Sequence, residues 1–147
     1  MSIYLENILF LNESSNSDSK IISLIKKLPD LDKPKPASIQ DIENAEKELN
    51  LKFSNEYKEC LKEFGYVGSG ATELTGIYDV VKVTKREWKL NSNVPHNMYA
   101  IEVAGDGIMI WQDASGSIYE TLTRSEKPNK ITSSLYNYIK NDIMKRK

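Results

Sequence analysis

Glu102, Asp106, Asp113 and Glu120 lie in one stretch of the chain, where strands and their turns are expected, and are candidates for chemistry. Two carboxylates held close together can serve as general acid and general base, or as acid and nucleophile on a glycosidic bond. Asp106 and Asp113, though, stand beside turn-forming glycines and small polar residues, where Asp is favoured because it hydrogen-bonds its own backbone. The four acids read first as a solvated or partner-docking surface and only then as hydrolytic machinery. Cys60 falls on the same helical face as Tyr57 and Phe64, with nothing alongside to draw off its proton, so it reads as a structural thiol. The single histidine, His96, follows Pro95 in a polar stretch and reads as a loop residue. One Cys and one His cannot furnish the ligands of a zinc centre. The run Gly65-Tyr66-Val67-Gly68-Ser69-Gly70 follows a helical pattern and lacks Gly-Lys-Ser/Thr, whereas phosphate-cradling loops follow a strand and open a helix. No catalytic residue, metal ligand or cofactor is expected.

What positions these residues is a chain of 147 residues, enough for one domain. Apolar residues make up 39% and charged residues 28%, sufficient for a single closed core. Twenty basic residues against twenty-one acidic ones give a net charge of -1, so direct nucleic-acid binding through a general basic surface is not expected. Residues 1–11 carry no Lys or Arg and only a short apolar run, unlike a secretion signal. No stretch approaches the roughly 20 apolar residues of a membrane span. The expectation is a cytoplasmic protein, and the excess of Lys over Arg, 17 to 3, fits an AT-rich bacterial gene.

Residues 12–19 form a polar loop, with Ser17 or Ser19 capping a helix that carries Ile21, Ile22, Leu24, Ile25 and Leu28 and ends at Pro29. Pro34 and Pro36 make 30–37 an extended connector. Ser38 caps the next helix, with Asp41 three residues on and Ile39, Ile42, Ala45 and Leu49 on its apolar stripe. Ser54 caps another, with Glu56 in its first turn, where negative charge suits the helix dipole, and Tyr57, Cys60, Leu61 and Phe64 on one face up to Gly65. Residues 65–76 hold four of the seven glycines and read as a loop. Val80–Thr84 is β-branched yet has helical spacing through Trp88. Strands are expected over 98–104, 108–112 and 117–122, joined by the Asp106-Gly107 turn and a turn at 114–116. A last helix starts at Thr132 or Ser133 and carries Leu135, Tyr138, Ile139 and Ile143. Residues 124–147 hold seven bases and two acids; Lys145, Arg146 and Lys147 suit the negative end of that helix.

The ordered set of these features resembles the SUKH superfamily. Ile39-x-x-Ile42-x-x-Ala45-Glu46-x-x-Leu49 followed by Phe53-Ser54-x-x-Tyr57-Lys58-x-x-Leu61-x-x-Phe64-Gly65 is similar to the family's opening helices, with Ser54 where Pro is frequent. Glu73 to Ile77, Val80-Val81-x-x-Thr84, Gly105-Asp106-Gly107, Asp113-x-x-Gly116-x-Ile118-Tyr119 and the closing helix continue the likeness through about residue 144.

The resemblance implies an α+β fold, a mainly antiparallel sheet with helices packed on one face, and a helix over residues 80–91. It places a SUKH-like domain at 37–147 behind an N-terminal extension, 1–36, with one helix. It implies an immunity protein whose partner is a cognate protein toxin, with a non-enzymatic regulatory scaffold as the alternative. The expected partner surface is the open face of the sheet and its loops: Glu73, Tyr78, Asp79, Glu102, Asp106, Trp111, Asp113 and Glu120.

Overall fold

The computed structural model describes residues 20–146. The expected polar loop at 12–19 and the Ser17 or Ser19 cap lie outside them. The first helix, α1, is helical over 20–26, and Pro29 follows within the next turn. Helix α2 (Ile39–Leu49) starts at Ser38, whose side chain accepts the Asp41 N–H, and ends at Asn50 in the left-handed conformation. Helix α3 (Asn55–Phe64) starts at Ser54, which accepts the Tyr57 N–H, and ends at Gly65, φ 76°. A side chain at position 65 would meet the Lys35 carbonyl, so glycine is required twice over.

Six strands follow in sheet order β1 to β6, all antiparallel: β1 (Val67–Ser69), β2 (Thr72–Leu74), β3 (Met98–Gly105), β4 (Ile108–Asp113), β5 (Ile118–Thr121) and β6 (Asn129–Thr132). The 80–91 segment folds as helix α4 (Val80–Leu90) between β2 and β3, as the resemblance implies. A short helix α5 (Leu135–Tyr138) runs into a wider π-turn, Ile139–Ile143, closed by Met144 N–H donating to Ile139 O at 2.8 Å. The architecture is α+β.

Alternation along β3 and β4 sorts side chains to two layers. Tyr99, Ile101, Ile110 and Ile118 meet the helices in the main core with Tyr57, Phe64, Leu135 and Tyr138. Ile21, Leu24, Ile25 and Leu28 belong to the same core, so the helix assigned above to an N-terminal extension shares the hydrophobic interior of the domain. On the other face Met98, Ala100, Met109 and Trp111 pack with Val83 of α4 and Val94, with Trp88 and Tyr119 against them. Helix α4 also gives Val80 to the main core. It is tied to the sheet by Thr84 Oγ1, which accepts the Ala100 N–H at 2.9 Å.

Three expectations change. Residues 65–76 are not a plain loop but carry the β1–β2 hairpin, closed at Gly70, φ 59°. Its glycines hid the strand; Gly68 is there because a Cβ would come within 2.3 Å of the Asp32 carboxylate. The last helix is capped by Ser134 rather than Thr132 or Ser133, because Thr132 pairs with Ile118 in β6. Ile39 is 63% exposed rather than on the buried stripe of α2.

Candidate protein-binding site

A groove runs between the turn after α1, the β1–β2 hairpin, the end of β3 and the residues after the π-turn; Pro29, Ser69, Glu73, Glu102, Val103 and Arg146 line it. Its walls are set locally. Asp30 takes a left-handed conformation, φ 50°, and turns the chain so that Leu31 bridges to Ser69 and Asp32 N–H donates to Gly68 O at 2.8 Å. Ser69 Oγ donates to the Pro29 carbonyl.

The hairpin carries an aromatic and acidic rim. Tyr66 OH donates to Asp32 Oδ2 at 3.1 Å. Desolvation, the Asp32 hydrogen bond and the charges of Asp32 and Glu73 hold the Tyr66 phenol above its usual value, which places both acids beside this ring. Tyr66 lies across Gly76, where a Cβ would come within 2.3 Å of the Tyr66 Cβ. Two residues on, Tyr78 projects with 73% of its surface exposed. Asp79 accepts the Gly76 N–H at 2.7 Å and closes the turn that presents Tyr78.

At the groove floor Glu102 is 3% exposed. It accepts the Tyr138 hydroxyl. It also accepts Arg146 Nη1 at 2.7 Å and Nη2 at 3.3 Å, and the same Nη2 lies 2.9 Å from the Tyr138 oxygen. A register shift between Ala100 and Glu102 brings this carboxylate to the helix side next to Ile101. Burial, followed by the charge and hydrogen bond of Glu102, keeps the Tyr138 phenol protonated well past its usual range. The Glu102 hydrogen bond likewise raises Arg146.

The eight residues expected at the partner surface do not form one patch. Glu73 on β2 and Glu102 on β3 both line the groove, whereas Tyr78 and Asp79 belong to the turn that follows the hairpin. Asp106 occupies the exposed β3–β4 turn in a left-handed conformation, φ 53°. Asp113 is at the opposite end of that hairpin, paired in register with Met98, and accepts Ser115 Oγ and Tyr119 OH. Half-buried Glu120 is on β5, opposite Ile110 and Asn129.

Two of the eight are corrected. Trp111 is fully buried in the second core, with Nε1 donating to Thr121 Oγ1 at 3.2 Å, because α4 covers the sheet face that was expected to be open. Glu102 is buried and paired with Tyr138 and Arg146 in this structure, so it is not the freely exposed charge that was expected. Asp32 and Tyr66, joined by a hydrogen bond, stand outside the eight expected residues, and Arg146 pairs with Glu102 rather than serving only the negative end of the last helix. A carboxylate inside the apolar run Met98–Ala104 was the available signal, since a buried acid demands a partner.

Catalytic alternatives find little here. Burial favours protonation of Glu87 and Asp113, but hydrogen bonds from Arg124 and Arg86 to Glu87, and from Ser115 and Tyr119 to Asp113, outweigh it. Both carboxyls end below their usual range, the opposite of what a general acid needs. Burial, then the charges of Glu56 and Glu59, pushes the Cys60 thiol up and away from reactivity. His96 stacks on Trp88, centroids 4.1 Å apart and planes 9° from parallel. No group of three potential metal ligands occurs among the described residues. No helix among them is long and apolar enough to cross a membrane.

The SUKH_5 family, described as SMI1-KNR4 cell-wall, matches residues 19–144. The chain belongs to the SUKH_5 family. The match takes in α1, whose apolar residues lie in the main core of this SUKH_5 fold. No curated protein matches the sequence.

Proposed function

We propose that this SUKH_5 chain is a cytoplasmic immunity protein, bacterial in origin, that binds and neutralises a cognate protein toxin without making or breaking bonds. The observation that carries the reading is Tyr78: a large aromatic left 73% exposed on a turn braced by Asp79, in the segment that follows the hairpin bearing Glu73. Exposed tyrosines supply contact area at low entropic cost and are enriched among residues that dominate binding energy. Glu73 and Asp32 add negative charge suited to a basic protein surface, such as the substrate groove of a nuclease toxin. Asp106 extends this surface past the end of the groove, whereas Asp113 and Glu120 lie outside the contact.

A second reading, a regulatory scaffold that binds a host protein of envelope metabolism, draws on the cell-wall description of the family. Co-expression separates the two. The product of the neighbouring gene is expressed with and without this protein, and growth is followed. Restored growth together with co-purification of the two proteins supports immunity. Unrelieved toxicity, or a harmless neighbour, turns the assignment toward the scaffold.

A further inference from the structure

Arg146 is held mainly through its side chain. Among the described residues its backbone makes one turn bond, to Ile143 O at 3.0 Å, while its guanidinium contacts both oxygens of Glu102 and the Tyr138 hydroxyl. The guanidinium carbon also lies 5.9 Å from the centre of the Tyr138 ring. The two ends of the pair differ sharply: the Glu102 side chain is 4% exposed and that of Arg146 is 39% exposed, opening onto the groove. Glu102 cannot leave its burial, whereas Arg146 can be reached from outside.

We propose that Glu102 and Tyr138 form a guanidinium receptor at the groove floor, that Arg146 is its resident occupant, and that the fitting partner is a polypeptide presenting an arginine that takes its place. Simple loss of Arg146 would strand a buried carboxylate, which is costly. Exchange of one guanidinium for another leaves Glu102 compensated, so release of the 144–146 segment and entry of a partner side chain are coupled. The planar fork spanning two carboxylate oxygens, with the hydroxyl alongside, favours arginine over the compact ammonium of lysine. The inference rests on the groove being a protein-binding site, and it states the side-chain chemistry of that site.

The test uses two blocked tripeptides, Gly-Arg-Gly and Gly-Lys-Gly, on the full chain and on its Arg146→Ala variant, read by titration calorimetry and thermal unfolding. The arginine peptide should bind the variant and raise its melting temperature. It should bind the wild-type chain at least about tenfold more weakly, because Arg146 competes, and the lysine peptide should trail it by a similar factor. Adding Glu102→Gln to Arg146→Ala should abolish the response. If Arg146→Ala alone does not fold, the arginine peptide should restore its helical signal and the lysine peptide should not. Equal response to both peptides, equal affinity of both proteins for the arginine peptide, or no response overturns the proposal. None of these readouts uses the toxin, so failed neutralisation would sink the function proposed above while leaving the tripeptide result in place.

Discussion

Glu56 caps a helix that is not its own. Its Oε1 and Oε2 accept the backbone N–H groups of Leu135 and Tyr136, each at 3.0 Å, across about eighty residues of chain. The carboxylate thereby satisfies two of the orphan donors at the start of α5, while Ser134 accepts the Asn137 N–H at 3.0 Å. The link fastens the C-terminal segment, and with it Tyr138 and Arg146, to α3.

Glu56→Ala should therefore lower stability by about 1–2 kcal/mol, the usual cost of losing a cap. In urea unfolding the midpoint should fall with the slope unchanged. An unchanged midpoint would show that water replaces the carboxylate at no cost.

Two aromatics expected at the partner surface now part company. Trp111→Ala empties a fully buried site and should cost about 3–5 kcal/mol. Tyr78→Ala, at an exposed position, should stay within about 0.5 kcal/mol of the parent. Denaturant titration of both variants decides this, and a large loss for Tyr78→Ala would mean that the ring supports the fold.

Tyr99, Gln112 and Ser54 form a buried network between α3 and the sheet. Tyr99 OH donates to Gln112 Oε1 and accepts the Ser54 N–H, both at 2.8 Å, and Ser54 Oγ donates to Gln112 at 3.1 Å. Tyr99→Phe leaves the Ser54 N–H without its acceptor and should cost about 1–3 kcal/mol. Amide exchange at Ser54 should quicken in parallel; unaltered exchange would show another acceptor at work.

Glu87, 1% exposed, makes stability depend on acid pH. Its carboxyl lies below the usual range when folded, so between the two values the unfolded chain holds the extra proton. Its stabilising contribution is complete above the ordinary carboxylate value of about 4.3 and is lost as pH falls through the lower folded value. Unfolding measured as a function of pH should show this acid loss in the parent and a flatter acid limb in Glu87→Gln. Identical limbs would remove Glu87 from the account.

How much of this could be read from the chain follows the range of each interaction. The Ser38 and Ser54 caps act within three residues, and the spacing of Tyr57, Cys60, Leu61 and Phe64 shows one face of one helix; all were legible. The Asp106-Gly107 turn was legible too, since both residues need the left-handed region they occupy, φ 53° and 81°. The Glu102–Arg146 pair was not, because 44 residues separate the partners and no local pattern announces which base meets a buried acid. The cover over Trp111 was missed for a similar reason: alternation shows that a strand has two faces, but Val83, Trp88 and Val94 reach the second one only through the path of α4 and its loop. At the site itself, Glu73, Tyr78 and Asp79 were named from the sequence, while Asp32 and Tyr66 needed the hairpin that Gly68 disguised.

The measurement that bears most directly on the central claim is calorimetric titration of the neighbouring gene's product into the parent protein and into Glu73→Lys, Tyr78→Ala and Glu120→Lys. Glu120 is on β5, three strands away from Glu73 on β2 in the sheet order, and serves as the comparison. The account predicts saturable binding to the parent, at least about tenfold weaker binding for Glu73→Lys and Tyr78→Ala, and unchanged binding for Glu120→Lys. No binding by the parent, or full affinity in both the Glu73 and Tyr78 variants, would contradict it.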